Sequence, residues 1–197
     1  MDPVLLQPGQ HLVFIGDSIT DCGRRDDPEG LGQGYVRKIA ASLGSGFRVT
    51  NRGISGDRVR DLEARWTADV LDLQPDVLTL FVGINDVWRV FDSGAAFDLD
   101  SVTEGYRRLV ESVSCPVVLI EPFVLPVPPD RLIWRPVLDP LIAFVRGFES
   151  SCRVVRLDAL MNGAAGDAPA LLAHDGVHPT DAGHELIKDA WLGLVQP

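Results

Sequence analysis

The chain has 197 residues, 46% of them hydrophobic and 23% charged, with a formal net charge of −10; such a profile fits one globular domain over 1–197, burying roughly 70% of its unfolded surface. The acidic surplus argues against nucleic acid and against anionic membrane surfaces, since both attract clustered Lys and Arg. No apolar stretch approaches the roughly 20 residues that span a bilayer. The N-terminus carries no basic, apolar leader, and three cysteines without close spacing point to neither disulfides nor zinc, so a cytoplasmic setting is expected.

In chain order, the first apolar run, His11 to Asp17, reads as a buried strand and stops at Gly16-Asp17-Ser18. A helix is expected over Tyr35 to Leu43, then a strand over Phe47 to Asn51. Val59, Leu62, Trp66, Val70 and Leu73 recur at helical spacing, which predicts a helix over Val59 to Leu73. A strand over Asp76 to Val82 is followed by Gly83-Ile84-Asn85-Asp86, read as the start of a loop. Then come a helix over Leu99 to Val113, a strand over Cys115 to Glu121 and a proline-rich loop over Pro122 to Arg135. A helix over Pro136 to Phe148, a strand over Arg153 to Asp158, a short helical segment, a Gly/Ala/Pro-rich loop over 163–169 and a helix over Ala182 to Leu194 complete the chain. The strands lack polar alternation, as expected when both faces of a parallel sheet are covered. Their regular alternation with helices predicts a three-layer α/β/α domain around a five-stranded parallel sheet.

Residues with chemical potential fall just after strands, at the sheet edge where ligands bind in open α/β folds. Ser18 follows the first strand, Gly53 the second and Asn85 the third, while Asp175-Gly176-Val177-His178 follows the fifth. A serine, a base and a group that orients the base are the parts of nucleophilic acyl transfer. Ser18 is the expected nucleophile, His178 the base and Asp175 its orienter. The backbone N–H groups of Ser18 and Gly53, with the Asn85 amide, are the expected oxyanion donors. No metal and no organic cofactor is required, because the donors come from the protein.

Gly16-Asp17-Ser18, Gly53, Asn85 and Asp175-Gly176-Val177-His178-Pro179 resemble, in order, the four blocks of the SGNH (GDSL) esterase and lipase superfamily. The resemblance implies a flavodoxin-like sheet in the order 2-1-3-4-5 and the roles just given. Longer stretches, including Phe14 to Arg24, Asn51 to Gly56 and Gly83 to Arg89, look like the intracellular serine acetylxylan esterases. That likeness implies removal of acetyl groups from small carbohydrates such as xylo-oligosaccharides, and a homo-oligomer. The family places a tryptophan before the catalytic Asp, near the sugar site; here the residue is His174.

Asp17 reads as a brace of the serine loop, and with Trp88, Arg89, Trp134 and His174 it is a candidate for substrate contact. Trp66 reads as core, Cys22 as packing, and His11 and His184 as structural. The expected activity is that of a carboxylic ester hydrolase acting on short acyl esters. Two alternatives are a thioesterase or lysophospholipase of the same superfamily and a non-catalytic carbohydrate-binding protein.

Overall fold

The structure, a computed structural model, describes residues 2–196. In chain order the elements are β1 (Val4–Leu5), β2 (His11–Gly16), α1 (Ser18–Asp21), α2 (Tyr35–Leu43), β3 (Arg48–Gly53), α3 (Val59–Asp69), β4 (Val77–Phe81) and α4 (Ile84–Asp92). They continue as α5 (Leu99–Glu111), β5 (Val117–Ile120), α6 (Arg135–Arg146), β6 (Arg153–Val155), α7 (Leu157–Ala165), α8 (Asp181–Leu192) and β7 (Val195–Gln196). The central sheet is parallel with order β3-β2-β4-β5-β6, which is the expected 2-1-3-4-5 order of its five strands. A second, two-stranded pair, β1 with β7, was not foreseen; it is too short to carry a periodic signal.

Period-two alternation assigns each strand residue to a layer. Leu12 and Phe14 of β2 join Phe81, Val118 and Ile120 on one face, under α2, α7 and α8. Val13 and Ile15 join Leu78, Leu80 and Leu119 on the other, under Val59, Leu62 and Trp66 of α3 and Tyr106 and Leu109 of α5. Helix α6 sits across the boundary, giving Leu138, Leu141 and Ile142 to the first cluster and Val145 to the second. Trp191 carries a polar group into this core and finds a partner there. Trp191 Nε1–H donates to Thr79 Oγ1 at 2.9 Å, so burying the indole costs no unmade hydrogen bond.

Helix α3, expected to reach Leu73, ends at Asp69, and α7 runs to Ala165, into the loop expected over 163–169. The segment after Gly83, expected as a loop, is helix α4; Ile84, Val87, Trp88 and Phe91 in fact recur at helical spacing, in a run too short to stand out from its Asn-Asp turn signal. The strand expected to reach Asp158 stops at Val155, and Asp158 lies in the first turn of α7. Its carboxylate accepts from both guanidinium nitrogens of Arg135, at 2.7 and 3.0 Å. Nearby, fully buried Glu121 is held by Arg146 at 2.7 and 2.9 Å and by the Asp158 N–H at 3.0 Å. A buried carboxylate is tolerated only when so compensated. These pairs fasten the ends of β5 and β6 to α6 and α7, and they anchor the long loop after β5.

The same register brings the active edge together. Gly16 at the end of β2 pairs with Gly53 of β3 and with Phe81 of β4. Three strand ends therefore stop level, with β2 between its two neighbours, where the chain's crossovers diverge to either side.

Candidate active site

At the end of β2, the Asp17 side chain caps α1 by accepting the Ile19 N–H at 3.0 Å. This leaves Ser18 as the first residue of α1, with an N–H that has no acceptor inside the helix. The other half of the site arrives from far along the chain. A bridge between Ala173 and Pro179 closes the Asp175–His178 loop, and Leu125 N–H donates to Gly176 O at 2.8 Å to dock it. Gly176 has φ +84, and a Cβ there would press on the Leu125 and Val127 carbonyls, so this turn needs glycine.

Ser18 Oγ lies 3.0 Å from His178 Nε2, and His178 Nδ1 lies 2.7 Å from Asp175 Oδ2. A carboxylate only accepts, so Nδ1 carries the proton and Nε2 offers its lone pair to the Ser18 hydroxyl. Asp175 Oδ1 also accepts the backbone N–H groups of Val177 and His178, at 3.0 and 2.7 Å. Burial opposes its ionisation, but these bonds and the imidazole outweigh burial and hold the Asp175 carboxyl far below the usual carboxylate range. The bond to Asp175 raises the His178 pKa above its ordinary value; burial and the Arg131 cation work against that rise, while the Asp17 charge adds to it.

The pH dependence follows from that sign. A base at His178 must be neutral to react, so activity is expected to fall as pH drops through a pKa lying above the ordinary 6.5. We expect the acidic limb of kcat/KM to have its midpoint above pH 6.5, measured from about pH 5 to 9 with a substrate for which chemistry limits. A midpoint below the ordinary imidazole value would overturn the assignment of His178 as base.

A cleft of about 290 Å³ opens over Ser18 and His178, bordered by Ser55, Gly56, Asn85, Trp88, Arg89 and Asp92. Asn85 is placed by donating through Nδ2 to Asp57 O at 3.0 Å, which leaves its second amide hydrogen for a ligand. Gly53, expected as an oxyanion donor, is not at the cleft. Its N–H already donates to Asn51 Oδ1 at 2.8 Å, and a Cβ on it would collide with the Thr20–Asp21 backbone, so it is a packing glycine. Gly56, three residues on, borders the cleft with φ +88, and its N–H bonds to no acceptor among the described residues. The loop that presents it is held by Ser55 N–H on Asp21 Oδ2 at 3.1 Å and by Ile54 N–H on Gly16 O at 3.0 Å. The only sequence signal for Gly56 was a second glycine in the same turn.

The other candidates separate. Asp17 is fully buried and does not reach the cleft; burial pushes its carboxyl up to about 7, against the pull of the Ile19 N–H and His178. Trp88 is half-buried, with its ring centroid 5.7 Å from that of His178. Arg89 borders the cleft and is paired with Asp92 at 2.6 Å. Trp134 is buried and packs edge-on against Trp88 at 5.2 Å, so it backs the cleft wall and opens onto a neighbouring cavity. His174 is exposed and its ring stacks near His178, centroids 6.2 Å apart. His11 and His184 are buried with hydrogen-bond partners, His11 with Thr50 Oγ1 at 2.8 Å and His184 with the Tyr35 N–H at 3.2 Å. The His184 Nδ1 therefore accepts, its Nε2 carries the proton toward Cys22, and it is no base for that thiol.

Known proteins resemble the chain over most of its length. The model of the GDSL-like Lipase/Acylhydrolase family matches residues 14–186. An acetylxylan esterase of Geobacillus stearothermophilus is 36% identical over 204 residues, 93% of each chain. The crystal structure of Axe2, an acetylxylan esterase from that organism, superposes with a TM-score of 0.84 at 36% identity, over 94% of both chains. A putative GDSL-like lipase from Parabacteroides merdae superposes with a TM-score of 0.89 at 31% identity, over 96% of both. With a family match across most of its length and relatives this similar, the chain belongs to the GDSL-like lipase/acylhydrolase family and is a carboxylic ester hydrolase.

Proposed function

We propose that the protein is a serine esterase that removes acetyl groups from small carbohydrate esters, xylo-oligosaccharides among them. The observation that carries this reading is the Ser18–His178–Asp175 chain of hydrogen bonds, at 3.0 and 2.7 Å, opening on a cleft walled by Trp88. Its support on the substrate side is the similarity to an acetylxylan esterase, and a variant of Axe2 is described as an acetyl-xylooligosaccharide esterase.

In this reading Ser18 Oγ attacks the acetyl carbonyl while His178 Nε2 takes its proton. Negative charge then builds on the former carbonyl oxygen, where the N–H groups of Ser18 and Gly56 and the Asn85 amide donate to it; each such donor is typically worth about 10² to 10³ in kcat. Asp175 stabilises the imidazolium. His178 returns the proton to the leaving sugar hydroxyl, and the same groups then pass a water onto the acetyl-serine, releasing acetate. Trp88 offers an aromatic face beside His178 for the sugar, with Arg89 and His174 at the rim. The thioesterase or lysophospholipase reading and the non-catalytic reading are not favoured.

Acetate release from acetylated xylo-oligosaccharides, set against hydrolysis of an octanoyl ester, tests the proposal. We expect the acetyl sugars to be preferred; a steep preference for octanoyl would overturn it. The three free cysteines suit a reduced, cytoplasmic setting, and exposed Leu5, Leu132, Ile133 and Leu171 suit a homo-oligomer.

A further inference from the structure

Beside the catalytic cleft, and sharing Trp88 and Asp92 with it, lies a second cavity of about 330 Å³. Its wall is aromatic. Trp88 meets Trp134 edge-on at 5.2 Å, and Phe91 stacks on Trp134 at 5.4 Å with planes 13° apart. Arg131 lies over this cluster, its Cζ 5.0 Å from the Trp88 ring and 4.4 Å from the Trp134 ring. The turn that carries Arg131, a tight helical stretch over Pro129–Trp134, ends in the same buried Trp134.

The environment of this guanidinium is anomalous. The chain has 28 acidic residues against 18 basic ones, so carboxylates are plentiful. Arg131 nevertheless makes no ion pair or side-chain hydrogen bond among the described residues, and its Nε is buried without a partner. The acids that border the same cavity do not serve it: Asp92 is paired with Arg89 at 2.6 Å, and Asp130 is exposed. Two indole rings flank the guanidinium carbon, while its donors stay unspent among the described residues. A buried donor without an acceptor is costly, and a planar guanidinium fork is the geometry that a carboxylate fills with two parallel hydrogen bonds. Neutral hydroxyls would satisfy the donors but leave the charge uncompensated. Of the three rings, Phe91 is exposed and Trp88 half-buried, and these two are left to meet the apolar C–H face of a pyranose ring.

We propose that this cavity is a subsite for a carboxylate-bearing sugar, a uronic acid unit carried by the acetylated oligosaccharide, and that Arg131 is its specificity-determining residue. The inference rests on the acetyl-sugar reading above. It makes the enzyme's favoured substrates the acidic fragments of a branched polysaccharide, and it implies that esters next to an acidic branch are removed faster than those on the plain chain.

The test compares kcat/KM for two matched acetylated xylo-oligosaccharides, one with a uronic acid branch and one without. In the wild type we expect the acidic substrate to be favoured about tenfold, the scale of one charge-assisted pair at a partly buried site, and the preference to shrink as salt is raised from about 0.05 to 0.5 M. Arg131→Gln is expected to bring the ratio close to one, and Arg131→Lys to retain part of it. Titration of Ser18 with a fluorophosphonate counts intact sites in each variant, so a misfolded preparation is recognised. Equal rates for the two substrates in the wild type would overturn the subsite, as would an unchanged preference in Arg131→Gln. If neither sugar is cleaved while 4-nitrophenyl acetate is, the acetyl-sugar reading itself fails, and the subsite with it.

Discussion

Replacing Ser18 with alanine is expected to lower kcat on any acyl ester by about 10⁵-fold or more, the scale seen when a triad nucleophile is removed. The loss falls on chemistry rather than folding. Among the described residues the Ser18 side chain bonds only to His178, while the turn around it is held by Asp17 capping Ile19 N–H. Removing the hydroxyl therefore leaves the cap, the end of β2 and the packing of α1 in place. A residual rate above water is expected, because the backbone N–H at position 18 survives the substitution and, with the Gly56 N–H and the Asn85 amide, still receives an oxyanion. Stopped assays for acetate, with thermal unfolding run in parallel, check both halves of this result. An active Ser18→Ala variant would remove Ser18 as nucleophile; a large drop in Tm would show that the residue is structural as well.

The second large effect is expected from Asp175→Asn, at about 10⁴-fold in kcat. The reason lies in which oxygen the asparagine keeps. Asp175 Oδ1 accepts two backbone N–H groups, from Val177 and His178, whereas among the described residues Oδ2 accepts only the His178 Nδ1 proton. An amide placed here turns its carbonyl oxygen toward the two backbone donors, and its NH₂ then faces Nδ1. The imidazole must answer with a lone pair at Nδ1, which moves its proton to Nε2, where the Ser18 hydroxyl needs an acceptor. The variant is folded, its geometry is nearly unchanged, and its base holds the proton on the wrong nitrogen. Slow labelling of Ser18 by a fluorophosphonate, alongside normal thermal stability, is the signature. A rate within about tenfold of the wild type would mean that Asp175 does not set the tautomer.

Much of this site was legible in the linear chain because its signals are local. The apolar strands stop at Gly16 and Phe81, and shortly after those ends Ser18 and Asn85 carry polar side chains where a parallel sheet opens. Asp175 and His178 are three residues apart, a spacing that by itself allows one to orient the other. Helix α2 was expected over Tyr35 to Leu43 and forms there, since its apolar stripe and flanking glycines are read directly from sequence. Helix α4 was missed for the opposite reason: nine residues between turn formers give periodicity too little length to outweigh Asn85-Asp86.

Legible along the chain were the three-layer α/β plan, the strand order through its family resemblance, and the residues proposed here as nucleophile, base and orienter. Those depend on composition along the chain, and periodic burial leaves a periodic trace. The folded chain alone shows that Gly56 and not Gly53 borders the cleft, since Asn51 takes the Gly53 N–H while the Gly56 N–H bonds to no acceptor among the described residues. It alone showed that Trp134 backs Trp88, that Asp17 is sealed from the cleft, and that Arg131 is left without an acid. Each of these is the outcome of a competition in space for a donor, an acceptor or a face, among residues brought together from separate elements. Such competition is settled when the layers pack, and it leaves no mark on the order of the residues.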